Sequence, residues 1–458
     1  MNNLYLNYSI PELLLNIQRD KFTLIDLGLE VERQIINAES NTLCWVNYDL
    51  ERLRIESKRA HSNYLSRGWL LALDGMPFGV KDIFNTKQYA TEMGSKLWKN
   101  FTPGNNARVV DSVIGAGGLV VGKTVTAEFG VHALNETLNP HDRSKTPGTS
   151  SSGSAAAVAT GMVPFALATQ TAGSIVRPAS FCGVWGMKPS FGMIPRTGVL
   201  KTTDSLDTIG FIAAHGESLR SILDVVRVKG PDYPYVYRIV DKNGTHPKQS
   251  NRPWRIGFVR THTWNVAESY VKRAIEIFVD QIANQVGFEV EQINWPCELE
   301  RSHRLHEIIY NKSISYYFIN EFKSRDSISL LIANMIQTGE SITPAQYKLA
   351  LLDQEQYCEE IDLLFKDYDF VVSLATSSSA PVRGSDEIPD PSLIWTLGHL
   401  PCVVSPAFRC PNNLPFGVQF TARRWSDYTL LQGVEELIAN GVLMRGSMPV
   451  LPRSALVS

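Results

Sequence analysis

Apolar and polar residues follow two different periods along this chain, and the change of period predicts where helices and strands lie. Residues 10–65 carry apolar side chains at helical spacing among many charges. From residue 73 onwards, short apolar runs bounded by glycine or proline are typical of buried strands. Residues 107–115 and the alanine-rich 154–161 predict helices between them. The alternation predicts an α/β fold with a sheet buried between helices. Residues 73–82 predict a turn that leads into a short strand, and the other predicted strands are residues 119–121, 165–169, 368–373 and 416–420.

The same pattern predicts the domain organisation. Residues 1–68 are expected to form a helical segment that packs on the core, and residues 69–458 a single larger domain. Within that domain, residues 215–365 turn mostly helical and charged, which indicates a variable insert. Residues 230–255, rich in Pro, Tyr, Asp and Asn, predict a surface connection. A last helix is expected at residues 427–440.

Composition narrows the class of protein. The chain has 458 residues, is 44% hydrophobic, and balances 44 basic against 46 acidic side chains. This balance gives no electrostatic reason to expect nucleic acid or an anionic membrane as a partner. The six cysteines lie far apart without a CxxC pair, which fits a reduced compartment better than a disulfide framework. With no basic leader and no long apolar run, we expect a cytoplasmic protein.

The stretch TPGTSSSGSAAA, residues 146–157, could be a flexible linker or a loop that surrounds a reacting group. A Gly/Ser linker is normally flanked by polar sequence, whereas this one runs into AAAVATGMVPFALATQ. Alanines allow a helix to approach a sheet closely, so the loop is predicted to be buried. Buried hydroxyl groups need hydrogen-bond partners. Composition alone does not decide whether this loop has a structural or a catalytic role.

Two further motifs decide between them. GMPFGVKD lies at residues 75–82 and QTAGSIVRPASFCG at residues 170–183. Together with the serine loop, these motifs resemble the amidase signature family of Ser–cisSer–Lys amidohydrolases, closely over residues 70–212 and loosely over residues 365–440. The resemblance implies a central mixed, twisted β-sheet covered by helices on both faces. It also implies hydrolysis of a C–N amide bond without metal or organic cofactor.

Carried over motif by motif, the resemblance implies three catalytic side chains. Ser174 is the expected nucleophile, Ser150 the bridging serine after a cis bond to Thr149, and Lys81 the base. A serine hydroxyl is a weak nucleophile that needs a neighbouring base. A lysine can act as that base only if its pKa is lowered by burial or by positive charge.

The neighbouring residues are expected to complete the site. Backbone N–H groups should form an oxyanion hole, in which each donor is worth about 10²–10³ in rate. Ser151 and Ser154 are expected to hydrogen-bond to this machinery, Ser151 closer to the proton relay. The predicted oxyanion-hole residues are Thr171, Ala172, Gly173 and Ser174.

Several positions depart from the family pattern. Thr149 and Ser152 stand where glycines are usual, and Asn106 stands where an Asp is usual. The family commonly has an Asp and an Arg that form an ion pair at positions 170 and 176. Here both are replaced, by Gln170 and Val176. A joint replacement is expected, because keeping one partner alone would leave a buried charge unpaired. Arg177 could bind a substrate carboxylate or end a turn as a structural residue.

The substrate pocket is expected among aromatic, irregular parts of the chain, including the predicted helix at residues 303–320. For His399 a packed core histidine is an equally good interpretation. The expected pocket residues are Phe129, Phe181, Arg177, Tyr310, Trp395 and His399.

Two other motifs are set aside. Residues 117–124 satisfy the phosphate-loop pattern, but a strand would lie inside the supposed loop. The histidines of residues 303–307 lack the order of a metal motif. We therefore expect an amidohydrolase of a small-molecule amide, with a homodimer possible through the N-terminal helices. The alternatives are a glutaminase-type subunit of a tRNA-dependent amidotransferase and a catalytically silent binding protein.

Overall fold

A single mixed β-sheet forms the centre of the computed structural model, which describes residues 3–241, 252–385 and 388–450. Within these residues the sheet has eleven strands in the spatial order β1-β3-β2-β4-β6-β5-β10-β11-β9-β7-β8. The strands are β1 (Trp45–Tyr48), β2 (Pro77–Lys81), β3 (Leu119–Thr124), β4 (Phe165–Gln170), β5 (Trp185–Lys188), β6 (Thr208–Ala213), β7 (Trp254–Val259), β8 (Phe288–Ile293), β9 (Phe370–Leu374), β10 (Cys402–Arg409) and β11 (Pro415–Thr421).

Helices flank this sheet, which confirms the predicted α/β class. Three of them begin with reciprocal capping boxes, such as Ser9 with Glu12 and Thr23 with Asp26, which satisfy the free N–H groups of the first turn. The helices are α1 (Leu4–Asn7), α2 (Ile10–Gln18), α3 (Leu24–Thr42), α4 (Leu50–Arg67), α5 (Arg108–Gly115), α6 (Ser152–Ala159), α7 (Val176–Cys182), α8 (Ser218–Val226), α9 (Pro234–Val236), α10 (Ser269–Ala283), α11 (Ser302–Tyr317), α12 (Leu330–Ser341), α13 (Pro344–Leu364), α14 (Leu393–Leu397) and α15 (Asp427–Ala439).

Strand direction brings the important loops together. β2 pairs in parallel with both β3 and β4, so their carboxyl ends lie at one edge of the sheet. Lys81 ends β2 and Gln170 ends β4. The serine loop leads into α6, every residue of which is buried. A Cβ on Gly153 would lie 2.4 Å from Val125 N, so α6 approaches the backbone of the sheet too closely for a larger residue there. The prediction of a buried loop is confirmed.

Sequence patterning missed several strands. β1 interrupts the expected N-terminal helices and pairs antiparallel with β3 at the edge of the sheet. β7 and β8 lie inside the segment expected to be mostly helical, and β5, β6 and β10 were not expected at all. The place of these strands in the sheet is fixed by the ladders of their neighbours, a tertiary effect that overrides local pattern. Of the expected connection at residues 230–255, residues 242–251 lie outside the described residues.

The phosphate-loop pattern folds as a strand, in agreement with the sequence interpretation. Residues 119–124 of this motif form β3, and Lys123 is completely buried there. Its Nζ lies 2.9 Å from Asp82 Oδ1 and donates to Phe84 O and Thr91 Oγ1. Lys123 is therefore a structural cation of the core.

Candidate active site

A completely buried lysine occupies the carboxyl end of β2. Lys81 Nζ lies 2.9 Å from Ser150 Oγ, 3.1 Å from Ser151 Oγ and 2.9 Å from Thr169 Oγ1. Its three partners are neutral hydroxyl groups, whereas the other buried lysine of this region, Lys123, has a carboxylate beside it. The fold therefore brings the expected base and the expected bridging serine into direct contact.

The surroundings of Lys81 favour the neutral amine. Burial lowers the pKa of Lys81 from its ordinary value of 10.5 to about 7, although the negative charge of Asp207 acts in the opposite direction. Asp207 is held by five hydrogen bonds, from Thr171 Oγ1 and from the N–H and hydroxyl groups of Thr202 and Thr203. A substantial fraction of Lys81 is thus deprotonated near neutral pH, as a base must be.

The serines of the loop divide into two groups by position. Ser150 Oγ accepts from Lys81 and donates to Gly130 O at 2.6 Å, and Ser151 Oγ donates to Thr169 O at 3.3 Å. Ser154 lies one turn further along α6, where its hydroxyl contacts Thr124 Oγ1 and Leu167 O instead. Ser151 therefore touches Lys81 directly, and Ser154 supports the strands on either side.

The expected cis bond before Ser150 is wrong. The described residues contain no cis peptide bond. The chain reverses through left-handed backbone instead, with φ of 103° at Gly148 and 63° at Thr149. These two residues supply the sharp turn that presents Ser150 to Lys81.

The segment after β4 has its carbonyl groups bonded and its N–H groups available. Thr171 O lies 2.8 Å from His306 Nε2, Ala172 O accepts from Thr396 Oγ1, and Gly173 O accepts from Arg177 N. Burial lowers the pKa of His306 to about 4, so this ring is neutral and bonds through its N–H. In the described part of the chain, the N–H groups of the expected oxyanion-hole residues, Thr171 to Ser174, donate to no backbone or side-chain acceptor.

Gln170 provides a neutral substitute for the missing ion pair. Its Oε1 accepts from Ile175 N at 2.8 Å and Val176 N at 3.0 Å, and its Nε2 donates to Thr396 Oγ1 at 3.0 Å. One amide side chain therefore fixes both ends of the turn that carries Ser174. Because Val176 needs no charged partner, the joint departure at residues 170 and 176 leaves no buried charge unpaired.

Ser174 lies in this turn, and only 4% of its surface is exposed. Among the side-chain hydrogen bonds of residues 3–241, 252–385 and 388–450, none joins Ser174 Oγ to Ser150, whose proton goes to Gly130 O. Catalytic hydrogen bonds are often loose in a ligand-free enzyme and tighten when substrate binds. The geometry thus contains the Lys81–Ser150 half of the expected relay, and within the described ranges no side-chain hydrogen bond of Ser174 Oγ accompanies it.

Two cavities flank these groups. A cavity of about 720 Å³ is bordered by Thr149, Arg177, Phe181 and Asp390. A second, of about 390 Å³, is bordered by Phe129, Thr171 and Asp207, among others. Three expected pocket residues, Phe129, Phe181 and Arg177, therefore line cavities at the site.

The other three expected pocket residues line neither cavity. Tyr310 is buried with its ring against His132 and His306, one layer behind the loop 171–174. Trp395 is fully buried between Trp295 and Phe365.

For Trp395 the expectation is wrong, because its large ring is used to fill the core. His399 is also a packed histidine, with Nε2 2.7 Å from Ser205 O and its ring stacked on Phe191 at 4.3 Å. That corresponds to the alternative interpretation of His399.

Several residues at the site were not predicted from the sequence. Thr169, Gly130, His306 and Thr396 carry no signal of their own, because each acts through a contact that only the fold creates. Asp207 lies in the SLDTIG stretch of residues 205–210, inside the span 70–212 that resembles the family closely, and this position is the signal that could have identified it.

Comparison with known proteins establishes the family. The sequence model of the family described as Amidase matches residues 29–431. The chain belongs to the amidase family. A curated relative of this amidase chain, the A subunit of glutamyl-tRNA(Gln) amidotransferase from Natranaerobius thermophilus, is 26% identical over 470 residues, covering 93% of this chain and 94% of the relative.

Solved structures share the amidase fold. One belongs to a vestigial protein complex that reveals the origins of an s-triazine catabolic enzyme, with a TM-score of 0.84, 24% identity and coverage of 96% of this chain and 100% of that chain. Another is the peptide amidase from Stenotrophomonas maltophilia, with a TM-score of 0.82, 22% identity and coverage of 98% and 99%. At these identities the likeness concerns the fold. No helix in the described part of the amidase chain is both long and apolar enough to cross a membrane.

Proposed function

We propose that this chain is an amidohydrolase that cleaves the C–N bond of a small-molecule amide through an acyl-enzyme on Ser174. Lys81 is the base and Ser150 carries the proton between them. The N–H groups of residues 171–174 bind the developing oxyanion. No metal or organic cofactor takes part in these steps.

The chemistry balances without any other reagent. Ser174 Oγ attacks the amide carbon while its proton passes to Ser150, and Ser150 passes its own proton to the neutral Lys81. Collapse of the tetrahedral intermediate breaks the C–N bond, and the same relay returns the proton to the leaving nitrogen. Water then attacks the ester carbonyl while its proton passes through Ser150 to Lys81. Collapse of this second tetrahedral intermediate breaks the bond to Ser174 Oγ, which takes the proton back from Lys81 through Ser150, and the acid is released.

The observation that carries the proposal is the environment of Lys81. A buried lysine without a carboxylate contact is costly, because burial penalises its charged form. Its three hydroxyl partners include Ser150, and the loop 171–174, whose N–H groups donate to no acceptor among the described residues, directly follows the strand that supplies Thr169. Burial of an amine beside hydroxyl groups supports acid–base chemistry more directly than any structural role.

The decisive experiment is covalent labelling of the nucleophile. A serine-reactive fluorophosphonate should form a one-to-one adduct that mass spectrometry of peptides maps to Ser174. Ser174→Ala should abolish both the adduct and amide hydrolysis. Ser57→Ala is a matched control, since Ser57 is also buried and its hydroxyl donates to the carbonyl of Leu53 in its own helix. Hydrolysis that survives Ser174→Ala at the wild-type rate would contradict the proposal.

A second candidate function is a glutaminase-type subunit of a tRNA-dependent amidotransferase. The observation that favours it is the name of the curated relative, which aligns with nearly the full length of this chain. Such a subunit would release ammonia from glutamine for use by a partner protein. Glutamine hydrolysis that rises when a co-purifying subunit is added would select this function. Efficient hydrolysis of simple amides by the isolated chain would select the first.

A further inference from the structure

The larger cavity holds an acidic residue beside the proposed nucleophile. Asp390 borders this cavity, and its side chain is 10% exposed. A Cβ on Gly173 would lie 2.0 Å from Asp390 Oδ2, so the carboxylate rests directly on the residue before Ser174. The absence of a side chain at Gly173 creates the room for it.

The two oxygens of Asp390 have different surroundings. Oδ1 accepts from Ser392 N at 2.9 Å, which fixes the turn that leads into α14. Oδ2 is buried and accepts no hydrogen bond from the described residues. The guanidinium of Arg177 balances the charge, but its Nη1 is 3.6 Å from Oδ2, beyond hydrogen-bond distance. Oδ2 thus has a counter-charge and lacks a donor.

A buried acceptor that lacks a donor is uncommon and costly. The donor that is missing can come from a ligand in the cavity, because Asp390 borders the cavity and its Oδ2 lies against Gly173, the residue before Ser174. The remaining walls offer apolar contacts for the rest of an acyl group. They include Leu134, Phe181, Val382 and Ile388.

We propose that Asp390 is a specificity-determining residue that accepts a hydrogen bond from an N–H or O–H substituent on the carbon next to the scissile carbonyl. The substrate class is thus an amide whose α-carbon carries an amino or hydroxyl group. The inference rests on the proposed function, because it takes Ser174 as the point of acylation. Gly173 precedes Ser174 directly, so Asp390 can reach a group close to the carbonyl and not one at the far end of a long chain.

The test uses three amides of nearly equal size: alaninamide, lactamide and isobutyramide. They carry an ammonium, a hydroxyl and a methyl group, respectively, at the same position. The wild-type kcat/KM should be at least about tenfold higher for alaninamide or lactamide than for isobutyramide, since a site built for a donor rejects the analogue that lacks it. A preference for alaninamide alone identifies a cationic donor, and a preference for both identifies a neutral one. Equal values for all three would overturn the proposal.

Asp390→Asn keeps the Oδ1 acceptor for Ser392 N and places an N–H where Oδ2 was. The ratio of kcat/KM for alaninamide to that for isobutyramide should fall at least about tenfold in this variant. Asp142→Asn is the matched control, because Asp142 Oδ1 accepts from the N–H two residues on, as Asp390 Oδ1 does, and does not border the cavity. An unchanged ratio in Asp390→Asn would overturn the proposal.

A binding measurement separates this inference from the proposed function. The fluorophosphonate labelling rate of Ser174 is measured with each amide present as a protecting ligand, whether or not it is turned over. If Ser174 is not labelled at all, the proposed function fails. If Ser174 is labelled and the three amides protect it equally, the proposed function stands and the role of Asp390 fails. Stronger protection by the amides with a donor, lost in Asp390→Asn, supports both.

Discussion

Replacing Lys81 by methionine preserves the length of the side chain and removes its amine. The fall of the Lys81 pKa from 10.5 to about 7 means that folding at low pH costs about 5 kcal/mol through this group. Lys81→Met removes that cost. It also removes the hydrogen bonds to Ser150, Ser151 and Thr169, each worth about 1 kcal/mol, or about 3 kcal/mol together.

The two effects depend differently on pH. Because the folded pKa of Lys81 is lowered, the unfolded chain binds more protons between the two pKa values, and the wild type gains stability as pH rises through this window. The cost is complete below about pH 7, decreases to about 2 kcal/mol near pH 9, and vanishes above about 10.5. Lys81→Met should therefore be about 2 kcal/mol more stable than wild type near pH 6 and about 1 kcal/mol less stable near pH 9.

Urea denaturation of both proteins across this pH range measures the difference in free energy of unfolding. Other titrating groups are common to both and cancel in the difference. Lys201→Met is the control, because Lys201 is 45% exposed and its ion pair with Asp204 lies at the surface, so its removal should change the free energy of unfolding by less than about 1 kcal/mol. A Lys81→Met curve that also runs parallel would show that Lys81 is not buried with a lowered pKa, and the assignment of the base would fall with it.

The remaining predictions concern activity. The wild-type kcat/KM should rise with pH around a midpoint of about 7, because only neutral Lys81 accepts a proton; a rate independent of pH across this region would contradict the role of Lys81. Asp207→Asn removes the negative charge that raises the pKa of Lys81, so the midpoint should move to lower pH, whereas Asp204→Asn, an exposed carboxylate nearby, should leave it in place. Gln170→Leu should lower kcat and destabilise the fold by about 2–5 kcal/mol, since two buried N–H groups lose their acceptor; Gln170→Glu keeps an acceptor there and should retain more activity and more stability.

The sequence predicted some of the helices and strands whose residues show a local pattern of apolar side chains. The burial of α6 followed from its alanines, and β2, β3 and β4 followed from apolar runs at the expected places. The pattern did not predict β5, β6, β7, β8 or β10, although β6 and β10 contain apolar runs of their own. β8 has its buried residues at its two ends, Phe288 and Ile293, and lies within a region expected to be helical, so its parallel pairing with β7 is what makes it a strand.

Prediction of the site had the same limit. The contact between Lys81 and Ser150 was implied by a resemblance to known motifs, and the fold brings the two side chains to 2.9 Å. The role of Gln170 was open, because one sequence cannot show that Thr396, over two hundred residues away, would receive its amide. Trp395 was misplaced because an aromatic residue near a motif can equally well fill a core.

The buried pair of Lys123 and Asp82 has a consequence for how this enzyme can vary. Asp82 follows Lys81 in the chain, and Lys123 compensates its charge from the neighbouring strand. Burial raises the pKa of Asp82, so with a neutral residue at position 123 this carboxyl would lose the charge that holds it ionised and would take up a proton instead. Residue 123 is therefore constrained by the carboxyl group that follows Lys81 in the chain.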